Sequence, residues 1–440
     1  MKLNYKRTIL VGFAFFLISA FWQAYDATVP VILTNKFGMS QTWSGVIMAL
    51  DNILAVFMLP LFGALSDKCA TRFGKRTPFI TIGTIVAAVA ILCLSFVDNA
   101  QLQNISAVST IDDPAALEII YDTQADATLL TPEGDTVVLR DTFTKEEFTT
   151  IRCKVTDPES GKTITNPDYT NYVAPARQAY AAAKTAENSA PLILFICLLL
   201  VVLVAMATFR SPAVALMPDV TMKPLRSKAN AIINLMGTGG GILVLVLGMV
   251  FSTSAVQNAM MSYTVYYAII AAIMLTALTI FLCTVREPKW AAEMAADSVK
   301  YGIEEAVADN TEHRSLSVAE KKSLICILLS IALWYFGYNA VTSKYAVYAG
   351  NILDKDYNTT MLLAQGAAIV AYLPAGTIAS KIGRKKTILA GVVMLTASFG
   401  CAAFMRSSSP TLVMNILFAL AGVAWATINV NSFPMVVEMC

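Results

Sequence analysis

Ten stretches of this 440-residue chain are apolar over membrane-crossing lengths, near 8–34, 43–66, 77–97, 190–212, 229–253, 263–285, 323–348, 359–380, 387–405 and 410–437. A hydrocarbon core of about 30 Å takes roughly 20 apolar residues per helix, and backbone in lipid must satisfy its own hydrogen bonds. The fold class is therefore an all-α membrane protein. Composition agrees, with 56% hydrophobic and 14% charged residues, against about 25% charged in a soluble domain. A net charge of +2 implies no nucleic-acid partner. The eight cysteines lie mostly inside apolar runs without paired metal spacing, so no disulfide framework, metal site or cofactor is expected. Lys2, Lys6 and Arg7 precede an apolar run longer than a signal-peptide core, which reads as the first span.

Orientation follows from basic residues in short loops. Lys68, Arg72, Lys75 and Arg76 separate spans 2 and 3; Lys223, Arg226 and Lys228 separate spans 4 and 5; Lys381, Arg384, Lys385 and Lys386 separate spans 8 and 9. These loops and the N-terminus share one side, which the positive-inside rule makes cytoplasmic in a multi-pass protein of the inner cell membrane. The chain divides into spans 1–3 (1–97), an external insertion (98–188), spans 4–6 (189–285), a cytoplasmic linker (286–322) and spans 7–10 (323–440). The insertion has a net charge of −8 and carries a hairpin signal, two β-prone runs at 128–131 and 136–139 around Pro132-Glu133-Gly134-Asp135. Ala-rich 174–188 reads as a helix leading into span 4, and the linker as partly helical.

The two halves repeat. An offset of 313 lays Gly63-Ala-Leu-Ser-Asp-Lys on Gly376-Thr-Ile-Ala-Ser-Lys and Tyr25-Asp26-Ala27 on Tyr338-Asn339-Ala340. Past span 3 an offset of 219 matches Pro218-Asp219-Val220 to Val437-Glu438-Met439. One insertion in the first half, the 98–188 segment, explains both offsets. The partner of span 6 would then end near residue 504, so ten helices of an expected twelve are present.

The loop Ser66-Asp-Lys-Cys-Ala-Thr-Arg-Phe-Gly-Lys-Arg-Thr-Pro-Phe79 resembles the signature of the sucrose/proton symporter branch of the major facilitator superfamily, akin to the glycoside-pentoside-hexuronide cation symporters. Ala215-Leu-Met-Pro-Asp219 and Arg286-Glu-Pro288 support the likeness. Plant members carry arginine before that Ala-Leu, where this chain has Val214, with Arg210 one turn earlier. The resemblance implies a major facilitator fold working by alternating access, with spans 1 and 7 lining a central cavity.

Ionisable groups inside a span cost at least about 2.5 kcal/mol at mid-bilayer, so they mark function. Asp26 on span 1 and Asp51 on span 2 reach similar depth and form a candidate cation-coupling pair for a proton or sodium, with Lys344 in the same outer half; a helix–helix hydrogen bond or a structural ion pair with Lys344 is the alternative. Candidate substrate-binding residues are Trp22, Gln23, Tyr25, Tyr335, Tyr338 and Asn339 on spans 1 and 7, Arg210 on span 4, Asn230 and Asn234 on span 5, and Gln365, Trp425 and Asn429 on spans 8 and 10. Rings stack on sugars and amides meet hydroxyls, although packing explains any single one as well. Gly63, Asp67, Arg72, Gly74, Lys75, Arg76 and Asp219, with Lys381, Arg384 and Glu438 of the second half, form a candidate cytoplasmic latch. The glycines at 237 and 239–241 permit close packing or bending, and His313 carries no expected role.

The sequence thus points to a monomeric secondary transporter for a sugar or glycoside, driven by a cation. It shows no nucleophile–base set for an enzyme. A uniporter or exporter of another small polar solute, or a transporter-like sensor or lipid-handling protein, is the alternative.

Overall fold

The structure, a computed structural model, describes residues 3–132, 134–156, 163–302 and 317–437. Each predicted apolar segment falls on a helix, because helices alone satisfy isolated backbone in lipid. In the first half these are α1 (Tyr5–Asn35), α2 (Gln41–Met48) and α3 (Leu50–Lys68), which together make one crossing, then α4 (Thr77–Asn104). Only Ala49, itself in the αR region, separates α2 from α3, and Ser40 caps α2 by accepting from Trp43 N. The inserted region holds α5 (Pro114–Gln124), β1 (Thr128–Leu130), β2 (Thr136–Val138), α6 (Leu139–Thr142), α7 (Lys145–Thr150), β3 (Lys154–Thr156), β4 (Thr163–Thr165) and α8 (Ala174–Glu187). Then follow α9 (Ala190–Asp219), α10 (Arg226–Phe251), α11 (Thr264–Thr284) and the linker helix α12 (Glu287–Lys300). The second half comprises α13 (Val318–Val347), α14 (Tyr357–Ile382), α15 (Arg384–Ala402) and α16 (Thr411–Val437). Nine spans among the described residues are long and apolar enough to cross a membrane; α14, with 26 residues, occupies the remaining predicted segment.

Packing follows the sequence repeat. In the first half α9 packs against both α3 and α4, and in the second α16 packs against both α14 and α15. Small residues allow the closest approaches. A Cβ on Gly240 of α10 would meet Phe16 O of α1 at 2.5 Å. Of the other glycines in that run, Gly237 meets Ser19, Gly241 meets Gln365, and Gly239 faces open space.

The inserted region is a small folded domain rather than a loop with one hairpin. β1 pairs antiparallel with β2 as the turn signal predicts, Leu130 opposite Thr136, although Leu139 opens α6 instead of extending the strand. A second antiparallel hairpin joins β3 and β4. Leu117, Ile120, Leu139, Phe148, Tyr169 and Val173 are buried together as a separate core. The face that carries this domain is called the outer face below.

The domain is held to the first half by amide hydrogen bonds beside a buried ion pair that the sequence reading missed. That reading ended span 3 at residue 97 and took Asp26 and Asp51 as the only acids deep in the spans. Instead α4 runs on to Asn104 and encloses Asp98 completely. Lys36 Nζ, at the end of α1, donates to Asp98 Oδ1 at 2.6 Å and Oδ2 at 2.7 Å, and to Met261 O at 2.7 Å, and lies 4.6 Å from the Tyr263 ring centre. Both side chains are fully buried, which is tolerable because every charge has a partner. Gln101 then donates to Lys36 O at 2.8 Å and to Thr185 Oγ1 of α8 at 3.0 Å.

Candidate functional site

A cavity of about 580 Å³ lies between the two halves. Both carboxylates of the predicted pair line it, Asp26 from α1 and Asp51 from α3. Lys344 does not. Its Nζ donates to Ser44 Oγ of α2 at 3.0 Å, and among the described residues no ion pair joins it to either aspartate. On a helix that is apolar all round, depth does not fix which way a side chain points.

Trp22, Gln23, Arg210, Asn234, Tyr335 and Tyr338 line the cavity, as do Asn339, Gln365, Trp425 and Asn429. Tyr25 and Asn230 are not among its lining residues. Tyr25 turns into the core of the first half, its ring against Phe21 and Trp22. Asn230 meets Asn234 only through its backbone, where Asn234 Nδ2 donates to Asn230 O at 2.9 Å. In the second half the Trp425 ring stacks on Tyr338 at 4.1 Å between centres and meets Tyr335 edge-on at 5.8 Å. Across the cavity the Arg210 guanidinium lies 5.8 Å from the Trp22 ring centre. The cavity therefore offers an aromatic wall, a cation and two acids.

Amides tie the halves together at its edge. Gln365 Nε2 donates to Gln23 Oε1 at 2.6 Å, and Gln23 Nε2 donates to Tyr357 OH at 2.7 Å. Asn52, which the sequence reading passed over, donates to Asp51 Oδ1 at 2.8 Å and accepts from Asn339 Nδ2 at 3.0 Å. Towards the outer face Asn351 Nδ2 donates to Asn35 Oδ1 at 2.9 Å, and Asn358 Nδ2 donates to Thr253 Oγ1 at 3.2 Å. These bonds join the two halves between the cavity and the outer face.

The predicted latch sits at the inner end of the first half as a clasp. Arg76 Nε donates to Asp219 Oδ2 at 2.8 Å, and the guanidinium also binds Asp67 and Ser66. Glu287, at the start of α12, accepts from Lys75 N at 2.6 Å, Arg76 N at 2.9 Å and Thr77 N at 2.8 Å, so a carboxylate caps the N-terminus of α4. Gly74 makes the approach possible: its φ is +116°, and a Cβ there would lie 2.3 Å from the Glu287 carboxylate. Gly63 packs against Ser211, whereas the Arg72 and Lys75 side chains are exposed. In the second half Lys381 falls in the last turn of α14 and Arg384 opens α15, while Glu438 lies outside the described residues. The sequence reading used Glu287 only as a family marker and did not place it in the clasp.

Residues 178–440 match the model of the Major Facilitator Superfamily, and residues 10–107 match that of MFS/sugar transport proteins. The chain is 29% identical over 60 residues to Sucrose transport protein SUC4 of Arabidopsis thaliana, an alignment covering 14% of this chain and 12% of that protein. It is 36% identical over 72 residues to Proton-associated sugar transporter A of Homo sapiens, covering 16% and 9% respectively. The curated relatives are thus matched over a small part of their own length. Among solved structures, a partially occluded inward-open conformation of the xylose transporter XylE from E. coli aligns over 99% of this chain and 85% of that one, with a TM-score of 0.54 and 16% identity. A crystal structure of D-xylose-proton symporter aligns over 99% and 87%, with a TM-score of 0.53 and 15% identity. At such identities the likeness is one of fold. The resemblance to sugar/proton symporters read from the loop at 66–79 is borne out by these matches. With more than half its length under one family model and the same fold along nearly all of it, the chain belongs to the Major Facilitator Superfamily.

Proposed function

We propose that this protein is a secondary active transporter that moves a sugar or glycoside together with a cation, proton or sodium, through the cavity between its halves. The observation that carries this reading is the meeting of two kinds of group in one cavity. Asp26 and Asp51 line the space into which the stacked Trp425–Tyr338 pair also faces. Aromatic faces and nearby amides suit a ring with hydroxyls, and a volume of about 580 Å³ suits a small solute. Carboxylates at such a site remain through an alternating-access cycle only if a proton or cation neutralises them, and a pair can share one ion. A cavity lined by both halves, with hydrogen bonds joining them nearer the outer face, supports a carrier cycle, and XylE is described by its title as a xylose transporter.

The test is the sugar accumulation ratio in energised liposomes beside counterflow in de-energised ones, with radiolabelled glucose, xylose, maltose and sucrose as probes. Asp51→Asn loses concentrative uptake and keeps counterflow, because asparagine preserves shape but holds no exchangeable proton. Asp26→Asn does the same if the two acids share one ion, and lowers sugar affinity if Asp26 holds hydroxyls. Full accumulation by both variants would remove the coupling role.

A further inference from the structure

Asn52 is engaged at both ends of its side-chain amide. It donates to Asp51 on its own helix and accepts from Asn339 on α13, so two hydrogen bonds lead from the carboxylate of the first half into the second. All three residues line the cavity. By the sequence repeat Asn339 corresponds to Asp26, so the second half presents an amide where the first presents an acid.

An amide is directional: its nitrogen only donates and its oxygen only accepts. While Asn339 donates to Asn52 Oδ1, Asn52 holds its N–H towards Asp51. A donor facing a carboxylate favours the ionised form, whereas a carbonyl facing it favours the protonated one. The same N–H occupies an oxygen lone pair that sodium would need. The bond between Asn52 and Asn339 spans the halves, as do the Asn35–Asn351 and Ser44–Lys344 bonds nearer the outer face. An outward opening that parted α3 from α13 would break this bond and free the amide to turn. The other charged groups facing Asp51 are Asp26 from α1 and Arg210 from α9, and neither depends on the Asn339 bond.

We propose that Asn52 is a positioning residue that loosens the hold of Asp51 on its cation when the outer side is shut, with Asn339 setting the direction of the Asn52 amide. The cation is then released towards the inner side, and by reciprocity a bound cation weakens the Asn52–Asn339 closure. The inference rests on the reading of Asp51 as a coupling carboxylate.

The measurement is the ratio of net sugar flux to counterflow in liposomes holding the full chain, with the same four sugars as probes. Net flux requires cation release on the inner side; counterflow at saturating cation does not. Asn52→Leu and Asn52→Ala each lower the ratio about tenfold, the scale of one hydrogen bond to a charged group. Asn339→Leu lowers the same ratio whatever it does to sugar affinity, and adding it to Asn52→Leu lowers the ratio no further. A merely structural role would reduce both fluxes together. Equal losses in both fluxes for both Asn52 variants, an unchanged ratio, or additive effects of the two positions would overturn the proposal. Asp51→Asn separates this outcome from failure of the coupling reading. If that variant still accumulates sugar, the coupling reading falls; if it does not while the Asn52 variants keep the parent ratio, only the relay falls.

Discussion

Thr165 Oγ1 donates to Asp354 Oδ1 at 2.7 Å, joining β4 of the inserted domain to the second half of the protein. The domain is otherwise anchored to the first half, where Gln178 Nε2 donates to Asn35 Oδ1 at 3.0 Å and Gln101 reaches Thr185. Asn35 in turn receives Asn351 of the second half, so the domain and the outer closure share one acceptor.

Outward opening must therefore break the Thr165–Asp354 contact. Joining Thr165→Cys and Asp354→Cys with a short bismaleimide is expected to stop net transport at least tenfold while leaving either single variant active. Transport that continues in the cross-linked protein would show that the halves separate without moving this hairpin.

The buried Lys36–Asp98 pair predicts a stability pattern. Removing one partner strands a buried charge, so Lys36→Met or Asp98→Leu alone costs about 3–5 kcal/mol, whereas the double variant recovers most of it. Thermal unfolding in detergent, followed by intrinsic fluorescence, reads this directly. A double variant as unstable as the singles would mean that the pair earns its place through geometry rather than through charge balance.

Trp425 provides the face of the cavity wall. Trp425→Ala is expected to raise the sugar KM about tenfold with a smaller change in maximal rate, and Trp425→Phe to raise it less, since an aromatic contact contributes about 0.5–1.5 kcal/mol. Equal effects of both variants on maximal rate alone would place Trp425 in the conformational step instead.

Cys153 gives a pH-dependent test of the inserted domain's fold. Burial, reinforced by the Asp112 carboxylate, pushes its thiol up to about 11. Asp112 Oδ1 also accepts from Cys153 N at 2.6 Å. The thiolate, the reactive form, is thus scarce at pH 8 in the folded domain and returns to its ordinary level on unfolding. Iodoacetamide at pH 8, read by mass at residue 153, should label only after urea is added; labelling of the native protein at a free thiol's rate would contradict this core.

The spans and the repeat were legible because length and apolarity decide what crosses a bilayer, and the offset that pairs Tyr25 with Tyr338 does not depend on side-chain direction. Trp22, Tyr338, Trp425 and both aspartates could be nominated from depth alone. Depth failed for Tyr25 and Lys344, since helices apolar all round carry no periodic signal to say which face meets the cavity. Lys36 and Asp98 sit 62 positions apart, and their pairing depends on how α1 and α4 end, which no local pattern records. The β3–β4 pair went unsignalled because each strand is only three residues long, too short for alternation to show.

Glu287 also settles where one body ends and the next begins. Its grip on the start of α4, with Arg7 bound to Glu293 at 2.6 Å and lying over Trp290, makes α12 part of the first half. The peptide between Lys300 and Val318 then carries the chain from the first half into the second. Amide bridges at the cavity and towards the outer face also join the two halves, without involving that peptide. In mechanical terms the protein is a heterodimer whose two subunits share one polypeptide.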